Sequence, residues 1–214
     1  MSVKTEIQDG GGTSRTAGVT ESRALLVTSL PTSSRGIPPG DLSNLRQLRE
    51  FFTDSGGVVN QRVDGSVTPV EYTVDAGLGI TKWITGFRMI IEANGFEIAT
   101  SDFRDYGATG SPGLPNGIDI EAFQGGVTTS ISASPIQTAG DYLNYADEFT
   151  NFVNAITSQA DYLQFVFRFD QPVVLTEGSA DRLVIRINDD LVAALQSTVG
   201  AEQYAIARGY QETI

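Results

Sequence analysis

Carboxylates are the side chains here best placed to do chemistry, because the usual bases and nucleophiles are missing. The chain contains no His and no Cys. That removes Ser–His–Asp and Cys–His arrangements, the commonest general base and the usual zinc sites. Two carboxylates facing a sugar at the right separation can hydrolyse a glycosidic bond. Candidate pairs are Asp102 and Asp105 in SDFRDYG, Asp119 and Glu121 in IDIEAFQ, and Asp189 and Asp190 in INDDL. Asp119 and Glu121 share a strand face, about 7 Å apart along it. A shared face supplies neither a pKa split nor a pocket, so a solvated strand face accounts for the pair equally well. Asp102, Asp105 and loop carbonyls are the oxygen ligands that Ca2+ takes. The EF-hand spacing is absent, however, and Arg104 between them is a ready partner. The sequence therefore predicts no catalytic residue, no metal and no cofactor.

Aromatic residues offer binding chemistry instead. Trp83, Tyr106, Tyr142 and Tyr145 have the faces needed to stack on a sugar. The stretch SDFRDYGATGSPGLPNG, residues Ser101–Gly117, is a long Gly- and Pro-containing loop of the kind that carries recognition. Trp83, Asp102, Arg104, Asp105 and Tyr106 are its candidate ligand or interface residues. Tyr142 and Tyr145 repeat at helical spacing, which places them against a sheet with their hydroxyls at the rim. Two glycine-rich stretches carry no nucleotide chemistry. DGGGTSR lacks the P-loop spacing and no strand precedes it, and GLGITKW lacks the dinucleotide fingerprint.

Composition narrows the partners. A net charge of −12, from 14 cationic against 26 acidic residues, opposes nucleic-acid binding, which needs cations to neutralise phosphates. Among the cations only Lys4 and Lys82 are lysines. The rest are Arg, whose planar fork suits fixed protein–protein pairs. No run approaches the roughly 18 apolar residues of a membrane span, and no basic-then-apolar leader marks a secretory signal. A soluble chain without a membrane or nucleic-acid partner is expected.

The elements that must position these residues read as mainly β. Gly is abundant at 23 of 214 residues, and turn residues punctuate many short apolar runs. Residues 1–40 form an extended N-terminal arm and linker: 1 to about 22 are too polar to build a core, RALLVTSL can be a strand, and PTSSRGIPPGD is Pro-rich. Residues 41–214 form the main domain. DLSNLRQLREFFTDSGG places Leu42, Leu45, Leu48 and Phe52 on one helical face, with Asp41 as N-cap and Gly56 as stop, although its adjacent Phe pair also suits a strand start. Strands follow at Val70–Val74, Ile80–Ala93, Phe96–Thr100, Ile118–Ala122, in DYLQFVFRFD, PVVL and DRLVIRIND, and in QYAIARGYQ. AGDYLNYADEFTNFVNAITSQ (Ala139–Gln159) has an amphipathic stripe at Tyr142, Tyr145, Phe149, Phe152 and Ile156, predicting a helical insertion near 139–159.

Several segments together carry a resemblance: QDGGGTSRTAGVT, VDGSVTPVEYTV (Val63–Val74), ITKWITGFRMIIEA, VVLTEGSADRLVIRINDDL (Val173–Leu191) and the closing ARGYQET. Over most of residues 57–214 the pattern of strands and turns resembles small virion structural proteins of tailed bacteriophages. The resemblance implies a jelly-roll-like antiparallel β-sandwich, present as a symmetric homo-oligomer in the virion and assembled in the bacterial cytoplasm. Its partners would be portal, adaptor, tail or major capsid proteins, at the neck or collar of the head–tail connection or as a capsid decoration. A coreless arm obtains its order from a neighbour, by strand addition or by lying in a groove, at an ordering cost of about 1–2 kcal/mol per residue. Arg15, Val19, Arg23, Leu25 and Val27 are its candidate subunit contacts. The alternative reading is a carbohydrate- or receptor-binding module built on Trp83 and the 101–117 loop.

Overall fold

The computed structural model describes residues 4–8, 14–19, 25–26, 45–92, 106, 113–153, 160–195 and 202–213. The chain divides into two compact units, Met1–Leu42 and Ser43–Ile214. In the first unit β1 (Lys4–Gln8), β2 (Ser14–Val19) and β3 (Leu25–Leu26) form an antiparallel sheet in that order. The segment read as a single extended arm thus turns back on itself, Ile7 standing opposite Arg15 and Val19 opposite Leu25. Within these strands, backbone donors and acceptors pair with the neighbouring strand. Arg23 and Val27 lie outside the described residues.

The second unit is mainly β. Its strands are β4 (Leu45–Phe51), β5 (Val70–Asp75), β6 (Ile80–Glu92), β7 (Ile118–Gln124), β8 (Val127–Ser130), β9 (Glu148–Val153), β10 (Ala160–Leu175), β11 (Arg182–Ile187) and β12 (Glu202–Thr213). They form a five-stranded sheet, β4-β12-β6-β10-β9, and a four-stranded sheet, β5-β11-β7-β8, antiparallel throughout. The pairing is nested. β4 pairs with β12, β5 with β11, β6 with β10 and β7 with β8, and successive pairs go to alternate sheets. β9 adds outside this nest, along β10.

Alternation decides which side chains face inward. Leu48, Ile84, Phe87, Met89, Leu163, Phe165, Phe167, Ala205 and Ala207 from one sheet join Tyr72, Val74, Ile118, Ile120, Leu183, Ile185 and Ile187 from the other in one buried cluster. Phe87 and Phe167 stack across β6 and β10 at 4.3 Å. Each fully buried side chain of this size contributes about 1.5–3 kcal/mol, so two sheets sharing one core are the stable solution for these strands.

Two helical expectations give way to strands. Residues 45–51 are strand, not helix, because the four-residue step from Leu48 to Phe52 fits both periods. As a strand it buries Leu48 and Phe52 and aims Glu50 at Lys82. Asp54 closes a turn rather than a helix, accepting from Gly56 N and Val58 N, both at 2.8 Å. Among the described residues of 139–159 only Ala139–Asn144 is helical, a 3-10 segment with a Thr138–Asp141 capping box, and residues 154–159 lie outside the described residues. Glu148–Val153 then pairs with β10, which seats Phe149 5.1 Å from Phe165. The stripe steps 142, 145, 149 belong to a short helical turn followed by an edge strand. PVVL is likewise no separate strand; it continues β10 past an irregularity after Arg168. Phe96–Thr100 lies outside the described residues.

Candidate functional site

The carboxylate pairs hold structure together. Asp119 Oδ2 accepts from Asn188 Nδ2 at 2.9 Å, and Glu121 pairs with Arg186 at 2.9 Å. Asp189 accepts from Asn116 N at 3.0 Å and Gly117 N at 2.6 Å, tying the end of β11 to the start of β7. Asp190 caps a single turn, α1 (Leu191–Ala194), through Ala193 N at 3.1 Å. Asp102, Arg104 and Asp105 lie outside the described residues.

The aromatic platform is not presented to solvent. Tyr106 and Tyr142 are 0% exposed and Trp83 4%, so none offers a ring face to a sugar, and the stacking role expected of Trp83 and Tyr106 is corrected. Tyr106 instead belongs to a buried polar chain. Its hydroxyl donates to Gln203 Oε1 and lies 3.1 Å from the Tyr142 hydroxyl, while Gln203 Nε2 donates to Gln61 Oε1 at 2.8 Å. Burial, then the adjacent Tyr142 hydroxyl, pushes the Tyr106 phenol well above its ordinary pKa. Tyr142 and Tyr145 pack on the core, Tyr145 only partly buried with its hydroxyl accepting from Ser134 N at 3.2 Å.

A different group of residues converges on the outer face of the five-stranded sheet. Wherever Leu48, Phe87, Phe167 and Ala207 point inward, their neighbours Arg49, Arg88, Arg168 and Arg208 point outward. Register then aligns Arg49, Arg208, Gly86 and Arg168 in one row across β4, β12, β6 and β10. Arg88 stands in the next row with Phe51, Ile206, Val166 and Glu148.

The backbone is distorted at this row. β12 passes from Arg208 opposite Gly86 to Gly209 opposite Ile84, and β10 from Arg168 opposite Gly86 to Val173 opposite Ile84. Thr85 is therefore skipped on both sides, and residues 169–172 bulge from β10. Bulges re-aim side chains and cluster beside functional sites. Gly86 is required there: a Cβ would sit 2.1 Å from Phe167 O. The result is a depression of about 330 Å3 lined by Thr85, Gly86, Arg88, Glu148, Arg168 and Arg208, among others.

Electrostatically the row is unbalanced. Arg168 pairs with Glu148, both more than half exposed. Among the described residues Arg49, Arg88 and Arg208 have no ion-pair partner. Arg88 Nε is shielded from solvent yet lacks a hydrogen-bond partner among them. Burial, then the neighbouring Arg88 and Arg49 cations, lowers the Arg208 pKa. Guanidinium forks held this way bind carboxylate or phosphate oxygens in bidentate fashion.

Arg168 and Arg208 lie in segments that read as strands, but the sequence could not join them, because only register puts β4, β12, β6 and β10 side by side. The Lys-poor, Arg-rich composition was the available signal. Comparison with family models, with curated proteins and with solved structures found no match.

Proposed function

We propose that this chain is a structural component of a tailed-phage virion: a jelly-roll subunit in a symmetric homo-oligomer, at the neck or collar around the head–tail connection. The observation that carries the reading is the strand order. Leaving β9 aside, the two sheets run first-eighth-third-sixth and second-seventh-fourth-fifth. Those neighbours are the nested pairs of one long hairpin wound over a core, which supports reading the unit as the double Greek key of a jelly roll. Viral capsid proteins, lectins and cupins use that arrangement.

Two observations favour the virion among these. The chain has no His or Cys for a cupin-type metal site, and Trp83, Tyr106 and Tyr142, the rings first expected to stack on a sugar, are buried. An Arg-rich, Lys-poor outer sheet face that also carries Phe51, Tyr204 and Tyr210 has the composition of a subunit contact. In this reading the arginine row meets carboxylates on an adjoining virion subunit, with portal, adaptor, tail or major capsid proteins as further neighbours.

The test is the particle. Purified virions should contain the chain in many symmetric copies, located by cryo-electron microscopy at the head–tail junction. Deleting residues 2–22 should leave the melting temperature of the main unit nearly unchanged while incorporation is lost. Normal occupancy of the truncated chain would remove the N-terminal unit from the anchoring role, and absence of the full chain from virions would overturn the reading.

A further inference from the structure

The outer face of the four-stranded sheet is acidic, while the central rows on the outer face of the five-stranded sheet are cationic. On the four-stranded sheet, register sets Glu71, Arg186 and Asp119 in one row and Asp75, Arg182 and Phe123 in another, with Glu121 between them. Arg186 is already committed to Glu71 at 3.0 Å and Glu121 at 2.9 Å. Arg182 lies over the Phe123 ring, 4.5 Å from its centroid. The carboxylates of this face therefore outnumber its cations, and its cations are engaged. On the five-stranded sheet, the central rows hold Arg49, Arg88, Arg168 and Arg208 against Glu148; Asp147 accepts from Arg168 N at 2.6 Å, Asp170 lies in the adjoining bulge, and Glu92, Glu202 and Glu212 sit at the strand ends.

We propose that the arginine row docks on the acidic outer face of the four-stranded sheet of a second copy. This names the occupant of the face used as a subunit contact above, and it rests on that reading. A two-fold contact centred on the row would set these cations against the same row of the other copy, and like charges across an interface are rejected. Joining the two different faces instead satisfies the shielded Arg88 and the crowded Arg208 with carboxylates. Every copy then offers one face of each kind, so the contact is head to tail. Such contacts close into a ring when the rotation allows and extend as a filament otherwise, which suits a subunit repeated around a particle axis.

The test uses the purified full chain in sedimentation velocity over a dilution series, at low and high salt. The wild type should self-associate, less at high salt because exposed charges are screened. The variant R49E/R208E and the variant E71Q/E121Q should each weaken association at least about tenfold. E71Q/E121Q adds no new charge beside Arg186, so it keeps the acidic face testable if E71R/E121R fails to fold. Mixing R49E/R208E with E71R/E121R should restore a complex that neither forms alone. A wild type that stays monomeric throughout, or either face variant associating as the wild type does, overturns the inference. So does loss of R49E/R208E from purified virions while E71Q/E121Q is incorporated normally; that result makes the row's partner another virion protein and leaves the virion reading standing. Absence of the wild-type chain from virions is instead the failure of that reading, and it removes the ground for this contact.

Discussion

Arg208 on β12 stands directly opposite Arg49 on β4, a like-charge cross-strand pair in a chain of net charge −12. Opposed like charges destabilise a sheet by about 0.2–1 kcal/mol, so the pair is a cost to the isolated fold. Arg49→Gln removes the repulsion at an exposed position. Urea unfolding should show the variant more stable than wild type by that amount, while self-association weakens. A variant less stable than wild type would mean that Arg49 has a stabilising role in the isolated chain. Gains in stability bought with lost binding mark a functional position.

Asp181 anchors the turn between β10 and β11. Gly125 N donates to Oδ1 at 2.7 Å and Thr176 N to Oδ2 at 3.2 Å. Burial pushes its carboxyl up, but these donors, with the Ser179 and Thr176 hydroxyls, outweigh it and hold the pKa below the usual carboxylate range. A depressed folded pKa gives stability that is present above the unfolded value near 3.9 and lost as pH falls through the folded value. Asp181→Asn should cost about 1–3 kcal/mol at neutral pH, with a shallower loss of stability below pH ~4 in denaturant titrations. An unchanged acid slope would show that Asp181 is not linked to folding.

Tyr106 ties a loop residue to β12 and to the 3-10 helix through Gln203 and Tyr142. Tyr106→Phe keeps the ring but leaves the Gln203 carbonyl oxygen without that donor inside the core. The expected cost is about 1–3 kcal/mol in equilibrium unfolding. Tyr106→Phe as stable as wild type would mean that water or another donor replaces the hydroxyl.

How far the fold could be read from residues depended on whether one period alone explained them. DRLVIRIND and QYAIARGYQ alternate over enough residues that only a strand fits. Leu183, Ile185 and Ile187 face inward with Arg182 and Arg186 outward, and Tyr204, Ile206 and Arg208 share the outer side, although Val184 and Ile206 on the outer sides are buried too. Leu48 and Phe52 satisfy both periods, so local pattern could not choose, and pairing with β12 did. The same ambiguity turned Phe149 from a helix stripe into an edge strand. The aromatic site failed for a related reason: ring chemistry was visible, burial was not. The arginine row was less visible still, since its members lie far apart in sequence and meet only through register.

Alkaline pH should unfold the chain through its tyrosines. Burial first, then the nearby Asp54 carboxylate, raises Tyr72 to about 12. Burial also raises Tyr106 and, despite hydrogen bonds with Tyr106 and Gln203, Tyr142. A raised folded pKa means that stability is intact below the unfolded value near 10 and falls as pH climbs from there toward the folded value. The phenolate absorbance of these three should therefore rise only together with loss of near-ultraviolet circular dichroism. Titration of all tyrosines near pH 10 with the fold intact would contradict their burial.

Gly86 lies at the centre of the arginine row, where β12 and β10 both shift register. Gly86→Ala would bring a methyl 2.1 Å from the Phe167 carbonyl oxygen. That atom belongs to a strand backbone that also carries the Phe87–Phe167 stack, so it cannot swing aside as a flexible side chain would. Overpacking of this kind costs about 1–3 kcal/mol, read by urea unfolding. Relief requires β10 to move off β6, which displaces Arg168 and widens the depression without altering a single charge. Gly86→Ala should consequently weaken self-association along with stability, whereas Arg49→Gln weakens association while raising stability. A Gly86→Ala chain that associates normally despite its lost stability would show that the bulge shapes the sheet but not the contact.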